Sequence, residues 1–445
     1  MFTKKIFKGD KRSALLKKNI AGSFFIKGWN CIVQLLLVPL TLNCLNQYEY
    51  GIWLTINSIL IWIDQFDIGL GNGLRNKLAE SIAQNDKLRA RKLVSTTIIM
   101  MFAIIIPFFF ILLFIINQIN LHDILNVSPI KVPNLNTITS ISLTFVCATF
   151  IFKSVGNIFL GMQLPAINNL LVVTGQTLIL IPTALLSLTN DKSLLHIAIA
   201  YTLSPLIIYI IAYPITFRKY PFLRPSISFF DKMELKVLIS LGINFFLIQM
   251  AGLIIFATSS VLISSIFSPA EVTSYQIAYR YFSITLLVFT VISAPLWSAS
   301  TDAYTKHDIT WIKKAMNKCR LLMLLFGCII FIMLLISNTI YKIWLSNRVN
   351  IEWNLSITMA MYIMLLIYST GYSNILFGIG KIKVITIVTI TEAITFIPLT
   401  MLLANNFGVT GVVIASIIVN ATCALTNKIQ FELIINNKAK GIWNK

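Results

Sequence analysis

From Ile98 to Ile116 the chain reads IIMMFAIIIPFFFILLFII, nineteen residues without one polar side chain. A stretch of that length, apolar on every helical face, matches the roughly 20 residues needed to cross a hydrocarbon core about 30 Å thick. Twelve segments qualify in the same way, near 20–42, 50–72, 94–117, 138–161, 166–188, 194–216, 237–264, 273–299, 321–341, 355–378, 384–404 and 408–431. The whole chain is 57% hydrophobic and 12% charged, far from the balance of a water-soluble domain. A transmembrane β-barrel would instead show alternating segments of about 10 residues. The sequence therefore predicts an all-α integral membrane protein of twelve transmembrane helices. Its first apolar run is kept as span 1, because no small-residue cleavage site follows it.

A net charge of +20 invites a nucleic-acid reading, but the placement of the cations excludes it. With twelve alternating crossings, one side receives seven Lys and Arg in the tail from Lys4 to Lys18 and six between Arg75 and Lys92. It also receives five between Arg218 and Lys236, five between Lys306 and Arg320, the pair Lys381 and Lys383, and three in the C-terminal tail, Lys438, Lys440 and Lys445. The opposite loops hold Lys131, Lys192, Lys342 and Arg348. Basic residues favour the cytoplasmic side, so this asymmetry predicts both termini in the cytoplasm. The surplus charge then serves topology and attraction to anionic membrane lipids. The loops run to about 20 residues, whereas an independent catalytic domain needs about 50 or more. The six cysteines lie in or beside apolar spans with no C-x-x-C and read as small buried hydrophobes, and His122, His196 and His307 fall at span ends, so no metal site is expected.

Charges inside the spans carry the functional signal, since one at a helix centre costs about 2.5 to 3.5 kcal/mol on insertion scales. Asp64 and Asp67 lie about 21 and 25 Å from the start of span 2 at Tyr50, in its cytoplasmic third. Lys27 sits about 12 Å into span 1 from the same side, so a pair with either aspartate is feasible. Ser23, Lys27, Asn30 and Gln34 fall within an arc of about 60°. Ser142, Thr149, Lys153 and Asn157 make a similar stripe on span 4, and Thr273, Gln276, Arg280 and Ser283 one on span 8. Glu392 stands with Thr389 and Thr395 on span 11. Inert interhelical pairing for Lys27, or snorkelling of Lys153 and Arg280 to the heads, would also accommodate these groups. Stripes on so many helices are more simply explained by a hydrated cavity. There Lys27, Lys153 and Arg280, with Asn30, Gln34 and Gln276, offer donors to an anion such as phosphate, while Asp64, Asp67 and Glu392 are candidates for a coupling ion. Tyr275, Tyr279 and Tyr281 at the mouth of span 8 could stack on sugar faces or serve an interfacial belt. GLGNG at 69–73 lacks the preceding strand of a dinucleotide loop. Its glycines end span 2 before a short amphipathic interfacial helix carrying Leu74, Leu78 and Ile82 on one side.

Transporters often carry internal repeats. NIFLGMQ (157–163) matches NILFGIG (374–380), and QNDKLRARK (84–92) parallels KHDITWIKK (306–314) with Asp86 and Asp308 in register. Six spans separate the members of each pair, which predicts a parallel repeat. The expected organisation is a basic cytoplasmic tail at 1–18, a six-helix lobe at 19–216, a linker at 217–236 rich in proline and charge, a second six-helix lobe at 237–432, and a tail at 433–445.

The run IDQFDIGLGNGLRNKLAESIAQNDKLRARKLVSTT (63–97), and more weakly GYSNILFGIGKIKV (371–384) and NNFGVTGVVIAS (405–416), resemble the polysaccharide biosynthesis and export flippases of the O-antigen type. These belong to the multidrug, oligosaccharidyl-lipid and polysaccharide exporter superfamily. The resemblance implies two helical bundles, a polyprenyl-diphosphate-linked oligosaccharide as substrate, and alternating access driven by a proton or sodium gradient, with no other cofactor. It also implies a bacterial inner-membrane location and other glycan-assembly membrane proteins as partners. A multidrug antiporter of the same superfamily is the first alternative, and a membrane-embedded glycan polymerase or ligase the second. Mixed rather than purely acidic intramembrane charge disfavours the former, and short loops the latter.

Overall fold

The computed structural model describes residues 11–64, 66–189 and 192–444, with side chains left out at 11–24, 64, 241–245, 247–248, 251, 298 and 302. The basic tail before residue 11 lies outside the described residues. What is described is helical, without strands. In chain order the helices are α1 (Lys11–Cys44), α2 (Gln47–Asp64), α3 (Leu70–Ala83), α4 (Lys87–Gln118), α5 (Leu121–Ile124), α6 (Leu135–Phe152), α7 (Ser154–Gly161), α8 (Pro165–Leu188) and α9 (Leu194–Lys219). After a linker with two short 3-10 turns come α10 (Lys232–Ile266), α11 (Pro269–Thr305), α12 (Ile309–Leu345), α13 (Trp353–Ile379) and α14 (Lys383–Ile435). Among the described residues nine helices are long and apolar enough to cross a membrane, α6 and α7 counting as one.

α14 is one of the nine, yet it covers two expected crossings. Gly408, at φ 60° and ψ −147°, breaks its helical backbone. The chain folds back there so tightly that a Cβ on Gly411 would run into the Leu403 carbonyl, and Glu392 on the first half reaches Thr422 and Cys423 on the second. Seven prolines lie inside the long helices α1, α4, α8, α9, α11 and α14. Spanning helices tolerate proline because neighbouring groups satisfy the freed carbonyls.

The chain divides into two compact units. The first comprises residues 1–46, 59–122 and 128–246, and the second 47–58, 123–127 and 247–445. In the first, α8 packs on α1 and α9, and α6 on α4 and α9, with Val33, Leu37 and Ile179 in a fully buried cluster. In the second, α13 lies against α11, α12 and α14, and Ile255, Leu262, Phe396, Ala415 and Val419 pack together. The start of α2 belongs to the second unit because Gly51 lets its backbone lie on the Pro269 carbonyl, while Thr273 Oγ1 donates to the Gln47 carbonyl at 2.7 Å.

The segment after span 2 differs from the sequence reading in one respect. Its glycines do end the span, Gly69 at φ 75°, and α3 follows. But Leu70, Leu74 and Leu78 are 0% exposed. They pack within the protein, against α4 and α7, rather than in lipid heads. Gly73 makes this seating possible, since a Cβ there would strike the Leu238 carbonyl.

Matching local contacts recur in the two units. Asp86 accepts a hydrogen bond from Arg89 N and Asp308 from Trp311 N, each at 2.9 Å, capping α4 and α12. Each follows a left-handed residue, Asn85 or His307, both at φ 57°. A Cβ on Gly161 would meet Leu78 Cβ at 3.0 Å and Arg75 O at 3.2 Å, and one on Gly378 would meet Ser300 Cβ at 2.8 Å and the Trp297 carbonyl. The same number of residues separates Arg75 from Trp297, Leu78 from Ser300 and Asp86 from Asp308.

Outside the spans, ion pairs clasp the linker to α3 and α4. Arg89 Nε donates to Glu234 at 2.8 Å and its Nη1 to Glu80 at 3.3 Å, Lys77 bonds Glu80 at 2.6 Å, and Lys92 bonds Asp231 at 2.9 Å. The Lys77 hydrogen bond holds Glu80 below the usual carboxylate range, and Lys92 with the Met233 N–H does the same for Asp231. A carboxylate with a lowered folded pKa stabilises above its unfolded value, so the clasp holds at neutral pH and is lost as pH falls through the lowered values. Arg89→Ala is expected to raise the rate of proteolytic cleavage within 217–236 about threefold, as suits a partly exposed network. Limited digestion of the purified protein checks this, and an unchanged rate would show that the pairs do not restrain the linker.

Candidate functional site

In the second unit the predicted residues lie on α11 and α14. Glu392 is 4% exposed. Its Oε1 accepts hydrogen bonds from Thr422 Oγ1 and from Cys423 N, each at 2.9 Å. Two neutral donors hold the carboxylate, and no Lys or Arg among the described residues pairs with it within 4 Å. Tyr362 of α13, buried, lies close enough to Glu392, Tyr275 and Tyr279 to interact electrostatically with all three. Gln276, one helical turn before Arg280 on α11, donates to Ser260 Oγ at 2.7 Å. Arg280 is half-buried and interacts electrostatically with Tyr50, whose buried hydroxyl lacks a hydrogen-bond partner among the described residues. Tyr362 of α13 thus links Glu392 of α14 to Tyr275 and Tyr279 of α11, the helix that also carries Gln276 and Arg280, whose own partners are Ser260 and Tyr50.

The tyrosines do not stand at a mouth. Tyr275 is 2% and Tyr281 6% exposed. Tyr281 donates to the Met333 carbonyl at 2.9 Å and packs edge-on to Tyr341, and Tyr279 leans on Phe256. They are packing residues between α11 and its neighbours α12 and α13 rather than an open aromatic mouth.

In the first unit the predicted residues are more dispersed. Lys27 and Gln34 are exposed on α1 and Asn30 is half-buried, its Oδ1 enclosed without a partner among the described residues. No ion pair of Lys27 occurs among the described residues, and the side chain of Asp64, its expected partner, lies outside them, as does that of Ser23. Asp67 accepts from Gly69 N and Gly71 N, both at 2.9 Å, which binds the turn opening α3. Helix N-termini present such unsatisfied N–H groups, and a carboxylate suits them. Lys153, half-buried, occupies the junction between α6 and α7, and Asn157 one turn on lies against Gly71 beside Asp67.

Two groups escaped the sequence reading. Thr422 and Cys423, which hold Glu392, open a polar face on the last crossing that continues through Asn427 and Gln430. Asn427 is fully buried and donates to Ser373 Oγ at 2.9 Å, while its Oδ1 is unsatisfied among the described residues. That spacing was readable in the sequence but drew no attention beside the charged residues of the other spans. Arg320 was counted with a basic loop. Its Nε donates to Tyr372 OH at 3.1 Å, and Glu432 lies 3.9 Å from its Nη2. The cysteines are all free, four of them buried, with Cys328 exposed.

Comparison with known proteins gives this geometry a family. The polysaccharide biosynthesis protein family matches residues 16–297. A candidate O-antigen transporter of Salmonella typhi is 22% identical over 400 residues, covering 85% of this chain and 87% of that protein. A candidate O-antigen export protein of Yersinia pseudotuberculosis is 23% identical over 394 residues, with the same two coverages. Among solved structures, the inward-facing form of a multidrug resistance MATE family transporter of the MOP superfamily aligns with a TM-score of 0.80 at 16% identity, over 94% of this chain and 98% of that one. An outward-facing form aligns at 0.65, also at 16% identity, over 96% of this chain and 97% of that one. The fold is therefore that of these transporters, and the match over most of its length makes this multi-pass membrane chain a member of the polysaccharide biosynthesis protein family.

Proposed function

We propose that this protein is a flippase that moves a polyprenyl-diphosphate-linked oligosaccharide, an O-antigen or capsule repeat unit, from the cytoplasmic to the outer leaflet by ion-coupled alternating access. It sits in the bacterial inner membrane with both termini cytoplasmic, and crosses twelve times as two six-helix lobes related by a parallel repeat. Matching caps at Asp86 and Asp308 and matching glycine seats at Gly161 and Gly378 support the repeat. The protein acts on its substrate without making or breaking bonds, and assembles its work with other glycan-assembly membrane proteins.

One observation carries the reading. Among the described residues Glu392 is held inside the spans by two neutral donors with no cation paired to it, and Arg280, also inside the spans, forms no ion pair. A guanidinium left unneutralised binds a diphosphate through charge-assisted hydrogen bonds. A carboxylate held only by neutral donors is left to exchange a proton or sodium ion. Lys27 and Lys153, with Asn30, Gln34 and Gln276, extend the donor set, and Asp64 and Asp67 are further coupling candidates. The polyprenyl tail stays in lipid while the head crosses.

Arg280→Ala and Lys27→Ala are each expected to abolish surface glycan in a strain that depends on this protein, with membrane levels unchanged. Immunoblots of glycan and of tagged protein check both, and wild-type glycan in either variant would contradict the assignment. The multidrug-antiporter alternative draws on the fold likeness. It predicts that drug efflux, rather than glycan export, tracks Glu392.

A further inference from the structure

The polar face of the last crossing has no part in the transport reading beyond Thr422 and Cys423. Asn427 and Gln430 continue it at helical spacing toward the end of α14 at Ile435. Cys423 N donates to Glu392 Oε1 at 2.9 Å, and Cys423 Sγ lies 3.4 Å from Asn427 Nδ2, so the carboxylate and the amide are joined through one residue. Asn427 Nδ2 also donates to Ser369 Oγ at 3.3 Å and to Ser373 Oγ at 2.9 Å, both on α13. One turn on, Gln430 Nε2 donates to the carbonyls of Lys381 and Trp443, each at 3.2 Å, just past the ends of α13 and α14. At 1.5 Å per residue, Cys423, Asn427 and Gln430 stand about 18, 12 and 8 Å from Ile435.

The orientation of both amides is fixed. Ser373 spends its hydroxyl hydrogen on the Ser369 carbonyl at 2.9 Å, so toward Asn427 it accepts, and the two carbonyls at Gln430 can only accept. The nitrogen ends are therefore engaged. Asn427 Oδ1 and Gln430 Oε1 remain buried acceptors without a partner among the described residues, on side chains that are 0% exposed. Residues that served only to tie helices together would engage both ends, because an unsatisfied buried acceptor is costly. Three residues apart on a helix their Cβ atoms are about 5 to 6 Å from each other, and a buried water bridges acceptors at that spacing.

Building on the coupling role given to Glu392 above, we propose that Asn427 and Gln430 hold the waters through which a proton passes between Glu392 and the cytoplasm. The proton that reaches Glu392 leaves a water beside Asn427. That water is reprotonated by the next one, beside Gln430, and a hydronium ion of the bulk solution at the Ile435 end makes up the loss. Each transfer breaks one O–H bond and forms another, and the carboxylate becomes neutral. Tyr362 of α13 and Cys423 interact electrostatically with Glu392, and Tyr275 and Tyr279 of α11 with Tyr362. No Lys or Arg among the described residues pairs with Glu392, so the proton displaces no cation.

The test follows the carboxyl stretch of Glu392 by time-resolved infrared spectroscopy on full-length protein in lipid, after a flash releases protons from a caged acid. The band is assigned by its loss in Glu392→Gln. Asn427→Leu is expected to slow its growth about tenfold, the effect of removing one water-holding hydrogen bond. Asn427→Ser, which keeps a polar group, is expected to retain most of the wild-type rate. Gln430→Leu, nearer the surface, should also slow it, and it decides the matter if Asn427→Leu does not reach the membrane. Thr400→Val removes a buried, unpartnered hydroxyl two turns from Glu392 on the side toward Gly408, and should leave the rate unchanged. A wild-type rate in Asn427→Leu or Gln430→Leu, slowing by Thr400→Val alone, or a Glu392 band that answers sodium but not protons would each overturn the proposal. A Glu392 that takes protons by this path while glycan flipping ignores the gradient would instead refute its coupling role and leave the path standing.

Discussion

Replacing Glu392 with glutamine is expected to leave the protein folded in the membrane while cutting gradient-driven flipping about fiftyfold at about 100 mV. That factor is one elementary charge's worth, about 2.3 kcal/mol, converted at 1.4 kcal/mol per tenfold. Glutamine keeps an acceptor oxygen for Thr422 Oγ1 and Cys423 N, the two donors that hold the carboxylate. The packing survives, and what is lost is the ability to change charge. Alanine at the same position would do something different, removing the oxygen that ties the two halves of α14 together at Thr422 and Cys423 and destabilising the hairpin. Flipping by the purified variant in vesicles, with and without an imposed ion gradient, separates the two effects. A Glu392→Gln protein that still responds to the gradient as wild type does would remove Glu392 from the coupling step.

Gly378→Leu and Gly161→Leu are expected to destabilise the protein by about 3 kcal/mol or more, because each puts a branched side chain into a seat already filled, by backbone at Gly378 and by Leu78 with the Arg75 carbonyl behind it at Gly161. At Gly378 the obstacle is the Trp297 carbonyl with Ser300 Cβ at 2.8 Å, and at Gly161 it is Leu78 Cβ at 3.0 Å with Arg75 O at 3.2 Å. Backbone cannot rotate aside as a side-chain tip does. The effect should therefore appear as a large loss of thermal stability in both variants, measured on detergent-purified protein. Gly28→Leu is the control, since nothing lies within 4 Å of a Cβ there, and it should stay within about 0.5 kcal/mol of wild type. If Gly161→Leu were tolerated while Gly378→Leu was not, the equivalence of the two seats would be broken.

Much of this architecture is written in the local chemistry of the chain. Runs such as Ile98–Ile116 admit only a buried or membrane helix, and Asp86 and Asp308 announce the helices they cap. The fold likeness and the family match agree with the resemblance read from 63–97. What was not legible depends on partners distant in sequence. The stripe of Leu74 and Leu78 says that α3 hides one face, but not whether lipid or protein covers it, and only the seating of Gly73 on Leu238 decides. Asp67 looks in sequence like Asp64, yet its oxygens are engaged by the N–H groups of Gly69 and Gly71. The tyrosines of α11 read in sequence as lying at the mouth of a span, but α11 is packed against α13 as well as α12. Glu392 was legible as an oddity in its span. Its donors on the return helix were not, because the turn at Gly408 that brings them together leaves only a glycine in the sequence.

The central claim is that charged groups inside the spans move an anionic lipid-linked glycan across the bilayer. Its most direct measurement is a flipping assay in vesicles loaded with fluorescent polyprenyl-diphosphate oligosaccharide, read as exposure to an impermeant quencher. Wild-type protein should speed exposure well above protein-free vesicles, and Arg280→Ala should return it to that baseline. Movement by Arg280→Ala at the wild-type rate, or no acceleration by the wild-type protein itself, would contradict the account.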